Sequence, residues 1–261
     1  MKIYISQLIP ENEYIEIIKE YDTGLELIDF SIAEFLDNSD VYKEKYQSNI
    51  YKDINLGIHG PFFDLIPATF DSLIREVTIQ RFNQAYDIAK ELNAKYIVFH
   101  TGYLKDIYFY ESWLENSSVF WKEFLKDKDD TIQIYLENVF EDEYLPLKQL
   151  IEQVNNPSFN ICLDLGHVNI RDKYTLKEWL TELKGYIKHL HIHNNNSIND
   201  EHEEINNGTI NYKEIFELIN ELNLDVDITI ETSGSQKIID SLEYLNNIRR
   251  GCNEIDWSLS F

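Results

Sequence analysis

Eight short runs rich in Ile, Val, Tyr and Leu recur along this chain, each followed by a longer stretch with apolar residues at helical spacing. Strand then helix, repeated, is the pattern of a parallel sheet, because parallel strands need a crossover long enough to hold a helix. The runs fall at about residues 2–8, 24–30, 55–59, 95–100, 132–138, 159–164, 187–192 and 227–232. Helices are expected between them, including 69–92, 211–222 and 235–249. In the first of these Leu73, Val77, Phe82, Ala85, Ile88, Ala89 and Leu92 lie near helical spacing. Eight such units are the count that closes into a (β/α)8 barrel. An open doubly wound sheet would want a Gly-rich phosphate loop after the first strand, and SQLIPENEY offers none. No Pro/Gly/Ser linker divides the chain, so its 261 residues are expected to form one α/β domain, 1–261.

Runs three to eight end on groups that bind metals or move protons. His59, His100, Glu137, Asp164, His191 and Glu231 are their last or near-last residues. In a closed parallel barrel the C-terminal strand ends meet at one rim, so these distant residues are expected to share one pocket. Singly, each has a plain explanation: a strand-end His is often a structural hydrogen-bonder, and an acid there often caps the next helix. Together they would repel one another, or carry an unpaired burial cost, without a cation. Glu137, Asp164, His191 and Glu231 are therefore expected to hold a divalent ion. A mixture of imidazole and carboxylate suits zinc or manganese better than calcium or magnesium. A second group lies nearby in the pattern. Asp200 and His202 form a D-x-H pair on a polar loop, and His167 follows Asp164 by three residues. His193 is expected one strand-step off the interior and is a weaker candidate. His189 is in phase with His191 but deeper, and is expected to be a core histidine.

Composition weighs against several functions. The net charge is −24, and Arg75, Arg81, Arg171, Arg249 and Arg250 are the arginines, so the chain lacks the basic footprint that nucleic-acid phosphates attract. Cys162 and Cys252 have no zinc-ribbon spacing and suggest no disulfide framework; Cys162 lies inside an apolar run and reads as a core residue. No apolar stretch approaches the roughly 18 residues of a membrane span, and the N-terminal MKIYISQLIPENEY lacks the marks of a signal peptide. A cytoplasmic protein is the expectation. The apolar residues Trp257 and Phe261 in the tail are expected to pack on the barrel exterior.

The segments IHGP, VFHTG, LEN, CLDLGH, HLHIHN, DEH, NNGTINY and IET follow one another between about residues 55 and 233. In this order and spacing the chain resembles the xylose isomerase-like TIM barrels, which include sugar and sugar-phosphate isomerases and epimerases and the endonuclease IV group. The resemblance to endonuclease IV implies three zinc ions on nine side chains: His59, His100, Glu137, Asp164, His167, His191, Asp200, His202 and Glu231. The resemblance to the isomerases implies one ion on Glu137, Asp164, His191 and Glu231, with both glutamates near the carbons that exchange protons. Two departures stand out. Asn194 occupies a position where the family usually has an acid, and Asn206-Asn207-Gly208 replaces a Gly-x-Gly. Phe62, three residues past His59, resembles the aromatic wedge of the endonucleases, but their basic groove is not evident.

The leading expectation is a metal-dependent isomerase or epimerase of a sugar or related polyol, with or without a phosphate. Glu137 and Glu231 would be the catalytic acid and base, and the ion would favour an enediolate. His59, His100, His167 and Phe62 would contact substrate, and Phe63, Tyr103 and Trp113 would wall the pocket. The alternative is a zinc-dependent phosphoric ester hydrolase of the abasic-site endonuclease type, using two or three ions. Its loops would need free cations, and only Lys105, Arg171 and Lys173 stand near the rim. A third reading is a metal-stabilised barrel that binds rather than catalyses; an inert barrel would be expected to have lost a ligand. The sequence does not reveal the oligomeric state.

Overall fold

A computed structural model of the chain describes residues 1–171 and 173–251. Its strands are β1 (Ile3–Ser6), β2 (Gly24–Leu27), β3 (Leu56–His59), β4 (Tyr96–His100), β5 (Gln133–Glu137), β6 (Phe159–Asp164), β7 (Ile187–Ile192) and β8 (Asp227–Ile230). All pair in parallel with their chain neighbours, and β8 pairs back onto β1 to close a barrel. The helices on the outside are α1 (Glu11–Tyr21), α2 (Ala33–Asp37), α3 (Ser39–Tyr46), α4 (Ser72–Leu92), α5 (Tyr110–Leu125), α6 (Leu145–Val154), α7 (Leu165–Asn169), α8 (Leu176–Leu183), α9 (Tyr212–Glu221) and α10 (Ser235–Gly251).

The two-residue period of a strand splits the buried residues into two layers. Leu25, Ile58, Ile97, Phe99, Leu136, Leu163, Leu190, Ile192 and Ile230 belong to the large apolar cluster shared with the helices. Tyr4, Tyr96, Val98, Tyr135 and Cys162 form a separate small cluster. Burying each large outer-layer side chain stabilises by about 1.5–3 kcal/mol. The alternate positions end, at the strand tips, in His59, His100, Glu137, Asp164 and His191. The barrel therefore brings these groups together by phase alone.

The strand pattern differs from expectation mainly at its ends. The first run stops at Ser6 rather than residue 8. The second stops at Leu27, because Asp29–Ser31 turn into a short 3-10 helix. The last stops at Ile230, so Glu231 sits one residue past β8. The expected apolar stripe of α4 also fails at its start. Leu73 and Val77 are exposed, and the buried face of the helix begins only at Thr78 and Phe82. Asp71 caps this helix, its carboxylate accepting from the backbone N–H of Leu73 and Ile74. Cys162 is fully buried, as expected. Trp257 and Phe261 lie outside the described residues. Among the described residues no helix is long and apolar enough to cross a membrane.

Candidate metal and active site

The mouth of the barrel holds three neighbouring groups of donor atoms, two of which share Glu137. Glu137, Asp164, His191 and Glu231 form the inner group, all four buried. His59, His100 and Glu137 form a second, and His167, His193, Asp200 and His202 an outer third. All nine side chains expected from the sequence are thus brought to one rim. Glu137 belongs to two groups because its two oxygens face different ways. Oε2 lies 3.3 Å from His59 Nε2 and 3.4 Å from His100 Nε2. Oε1 lies 3.5 Å from His191 Nδ1. On its other side His191 Nδ1 is 3.6 Å from Glu231 Oε2.

The far nitrogen of each ring decides what the near one can do. His59 Nδ1 donates to the Gly60 carbonyl (3.1 Å), His167 Nδ1 to the Asn138 carbonyl (2.8 Å) and His202 Nδ1 to the Glu231 carbonyl (2.8 Å). A carbonyl oxygen only accepts, so on these rings the proton is on Nδ1 and the Nε2 lone pair points at a carboxylate. His167 Nε2 and His202 Nε2 both face Asp200 Oδ2, at 3.2 and 3.1 Å. Two lone pairs at that distance are tolerated only with a proton or a cation between them. Ligand bonds of about 2.0–2.2 Å around a tetrahedral ion put neighbouring donors roughly 3.3–3.5 Å apart, close to these separations.

Without an ion, protons fill the role. Burial pushes the His202 imidazole down, but the Asp200 carboxylate beside it lifts it to about 9. His167 is likewise raised, with Asp164 and Asp200 outweighing its burial. Burial pushes the Asp200 carboxyl up, and the two histidines more than reverse that. Three buried atoms of the inner group, Glu137 Oε2, Asp164 Oδ2 and His191 Nδ1, find no hydrogen bond among the described residues. Orphaned acceptors gathered in one buried place are costly alone and suited to a divalent ion, so the residues present fit such a group. Asp164 also caps α7, its Oδ1 accepting from the His167 backbone N–H at 2.6 Å. The helix-cap explanation and the donor role thus use different oxygens.

Three placements correct the sequence reading. His193 is not off the interior: it is fully buried, its Nε2 3.3 Å from Asp164 Oδ1 and 3.6 Å from Asp200 Oδ1, and its ring stacks on His202 at 3.8 Å. The inward phase of His189 and His191 continues one step past the end of β7. Trp113 does not stand free at the mouth but is buried in the helix layer, against Tyr103 at 4.8 Å. Phe62 stacks on His100 at 4.2 Å, while Phe63 next to it is the exposed ring. His189 is buried below the site as expected, bonded to Thr229 at 2.8 Å. One residue escaped the sequence reading altogether. Glu26, in the middle of β2, is fully buried with its carboxylate against His191. The signal was an acid flanked by Leu25 and Leu27 in the inward phase of an apolar strand.

The chain matches the xylose isomerase-like TIM barrel family over residues 15–248. It belongs to that family. An uncharacterized protein of Methanocaldococcus jannaschii is 28% identical, the match covering 77% of this chain and 72% of that one. A protein named probable endonuclease 4, from Metamycoplasma arthritidis, is also 28% identical, covering 73% of this chain and 74% of its own. A crystal structure described as a D-tagatose 3-epimerase-like protein superposes with a TM-score of 0.79 at 25% identity, covering 97% of this chain and 99% of that one.

Proposed function

We propose that this xylose isomerase-like barrel is an isomerase or epimerase of a small sugar or related polyol, dependent on a divalent ion, zinc or manganese. The observation that carries the reading is the pair of buried carboxylates, Glu137 and Glu231, on either side of His191 Nδ1 at 3.5 and 3.6 Å. Glu137, Asp164, His191 and Glu231 would hold the ion. When bound, it supplies a Lewis acid for adjacent hydroxyl and carbonyl oxygens and acidifies the carbon between them. Glu137 and Glu231, from strands three apart around the rim, take and return the carbon-bound proton. His59, with Nδ1–H fixed on Gly60, offers Nε2 as an acceptor to a substrate hydroxyl, and His100 and His167 stand beside it. Phe62 walls the pocket and, stacked on His100, limits water.

The rim favours an uncharged substrate. Lys105 pairs with Asp142, Arg171 lies 3.9 Å from the same carboxylate and donates to the Val139 carbonyl, and Lys173 pairs with Glu143 at 2.9 Å. A sugar phosphate would have to break these pairs to reach a cation. The test is exchange in heavy water across a panel of ketoses and aldoses with manganese or zinc supplied. Deuterium entering beside the carbonyl, and its loss in Glu137→Gln and Glu231→Gln, is the expected result. No exchange with any sugar would overturn the reading.

A second reading, a phosphoric ester hydrolase, is favoured by one observation: the oxygens of Glu137 face two separate donor sets, as a carboxylate bridging two ions would. Paired ions suit in-line displacement at phosphorus. Cleavage of bis(4-nitrophenyl) phosphate or of an abasic-site duplex, with two to three ions per chain, would favour it over isomerisation.

A further inference from the structure

Beneath the inner donor group lies a buried polar network that neither the sequence nor the proposed chemistry uses. Its centre is Glu26, inside the barrel on β2 and wholly shielded from solvent. The Tyr96 hydroxyl and the Thr229 hydroxyl each donate to Glu26 Oε2 at 2.8 Å. His189 Nε2 lies 2.8 Å from the same Thr229 oxygen, which has already given its proton to Glu26 and therefore accepts from the ring. The remaining partner is His191, whose Nε2 sits 3.1 Å from Glu26 Oε1 and 3.2 Å from Oε2. A carboxylate that receives two hydroxyl protons and the face of an imidazole is held ionised. A buried carboxylate with no Lys or Arg paired to it among the described residues requires a reason, since a mid-strand carboxylate is among the costliest groups to bury.

We propose that Glu26 is a positioning residue that fixes His191 as the Nε2–H tautomer, so that Nδ1 is the atom presented to a cation at Glu137, Asp164 and Glu231. The geometry leaves one arrangement. Both oxygens of Glu26 face Nε2, so Nε2 keeps its proton, and Nδ1, without a hydrogen-bond partner among the described residues, is the nitrogen free to exchange a proton for a cation. Tyr96 and Thr229 come from β4 and β8 on either side and lock the carboxylate in place. Glu26 would then support, through the imidazole, whatever cation the inner group holds. Such a partner orients the ring, raises its basicity, and its loss lowers metal affinity by 10–100-fold. The inference shares the inner site with the proposed function, but it concerns a hydrogen bond that exists with or without substrate.

Two measurements test it. In zinc-loaded protein labelled with 15N-histidine, the His191 ring should keep its proton on Nε2, with Nδ1 the nitrogen that carries none. In Glu26→Gln that preference should weaken, while far-UV circular dichroism shows the barrel intact. Zinc titration against a chromophoric chelator should then give a 10–100-fold weaker inner site in Glu26→Gln. Glu26→Asp, which retains the charge, should recover part of the loss. A zinc-loaded wild-type His191 with its ring proton on Nδ1 would overturn the proposal, as would equal zinc affinity in folded Glu26→Gln. If the barrel isomerises no sugar, the proposed function fails while the tautomer and affinity results still decide the role of Glu26.

Discussion

Position 194 carries an amide whose geometry a carboxylate cannot reproduce. Asn194 Nδ2 donates to the carbonyls of Ile205 and Ile210, and its Oδ1 accepts from the N–H of Asn195 and Ile210. The loop after β7, which carries Asp200 and His202, is folded around this side chain. Gly208 is what lets the loop approach, since a Cβ there would meet Asn194 Oδ1 at 2.2 Å. Asn194→Asp should cost about 1–3 kcal/mol for each donor lost, read as a lower urea midpoint. His202 gives a pH prediction with a definite sign. Folding raises it from 6.5 to about 9, so in the ion-free protein its stabilising contribution is complete below about pH 6.5 and is lost as pH rises through 9. Chelator-treated protein should therefore lose stability between those limits, and His202→Gln should flatten that slope. Zinc binding at the outer group should strengthen over the same range, because the ion displaces that proton. The strand-end donors were legible from sequence as a set, not singly. Glu26 was not, because a charged mid-strand residue reads as solvent-facing until the barrel closes over it. His193 was not, because the inward phase of β7 runs on one residue past the strand's own end.

At the level of elements, each βα unit delivers its donor through strand phase and keeps it through the helix that follows. The unit β6–α7 shows this best. Asp164 ends the strand and caps the helix, and Gly166 in the first turn leaves the space that the His193 ring fills. A Cβ at 166 would stand 2.0 Å from His193 Cε1. Gly166→Ala should destabilise by about 1–3 kcal/mol through overpacking and should push His193 off Asp164. Thermal unfolding checks the first effect and a crystal structure of the variant the second. The order and parallel direction of the strands followed from alternation and crossover length. The strand ends did not, since Ser6, Leu27 and Ile230 stop their strands where register, not propensity, decides. The exposed start of α4 was hidden for a related reason. Leu73 and Val77 keep helical spacing, but the barrel surface does not extend beneath them.

Over the whole molecule, a chain of net charge −24 concentrates carboxylates at one mouth and pairs the few rim cations with Asp142 and Glu143. A cation there would neutralise charge that folding otherwise leaves opposed. Bound only by the folded state, it should stabilise by about 2.7 kcal/mol when present at one hundred times its dissociation constant. Zinc or manganese should accordingly raise the melting temperature, EDTA should reverse the rise, and Glu137→Gln should abolish most of it, as followed by scanning calorimetry. The most direct measurement is anomalous diffraction at the zinc or manganese edge from crystals grown with the ion. The account predicts a peak bonded to Glu137, Asp164, Glu231 and His191 Nδ1. Glu137, Asp164, His191 and Glu231 turned away from one another, with no peak among them at saturating ion, would contradict it.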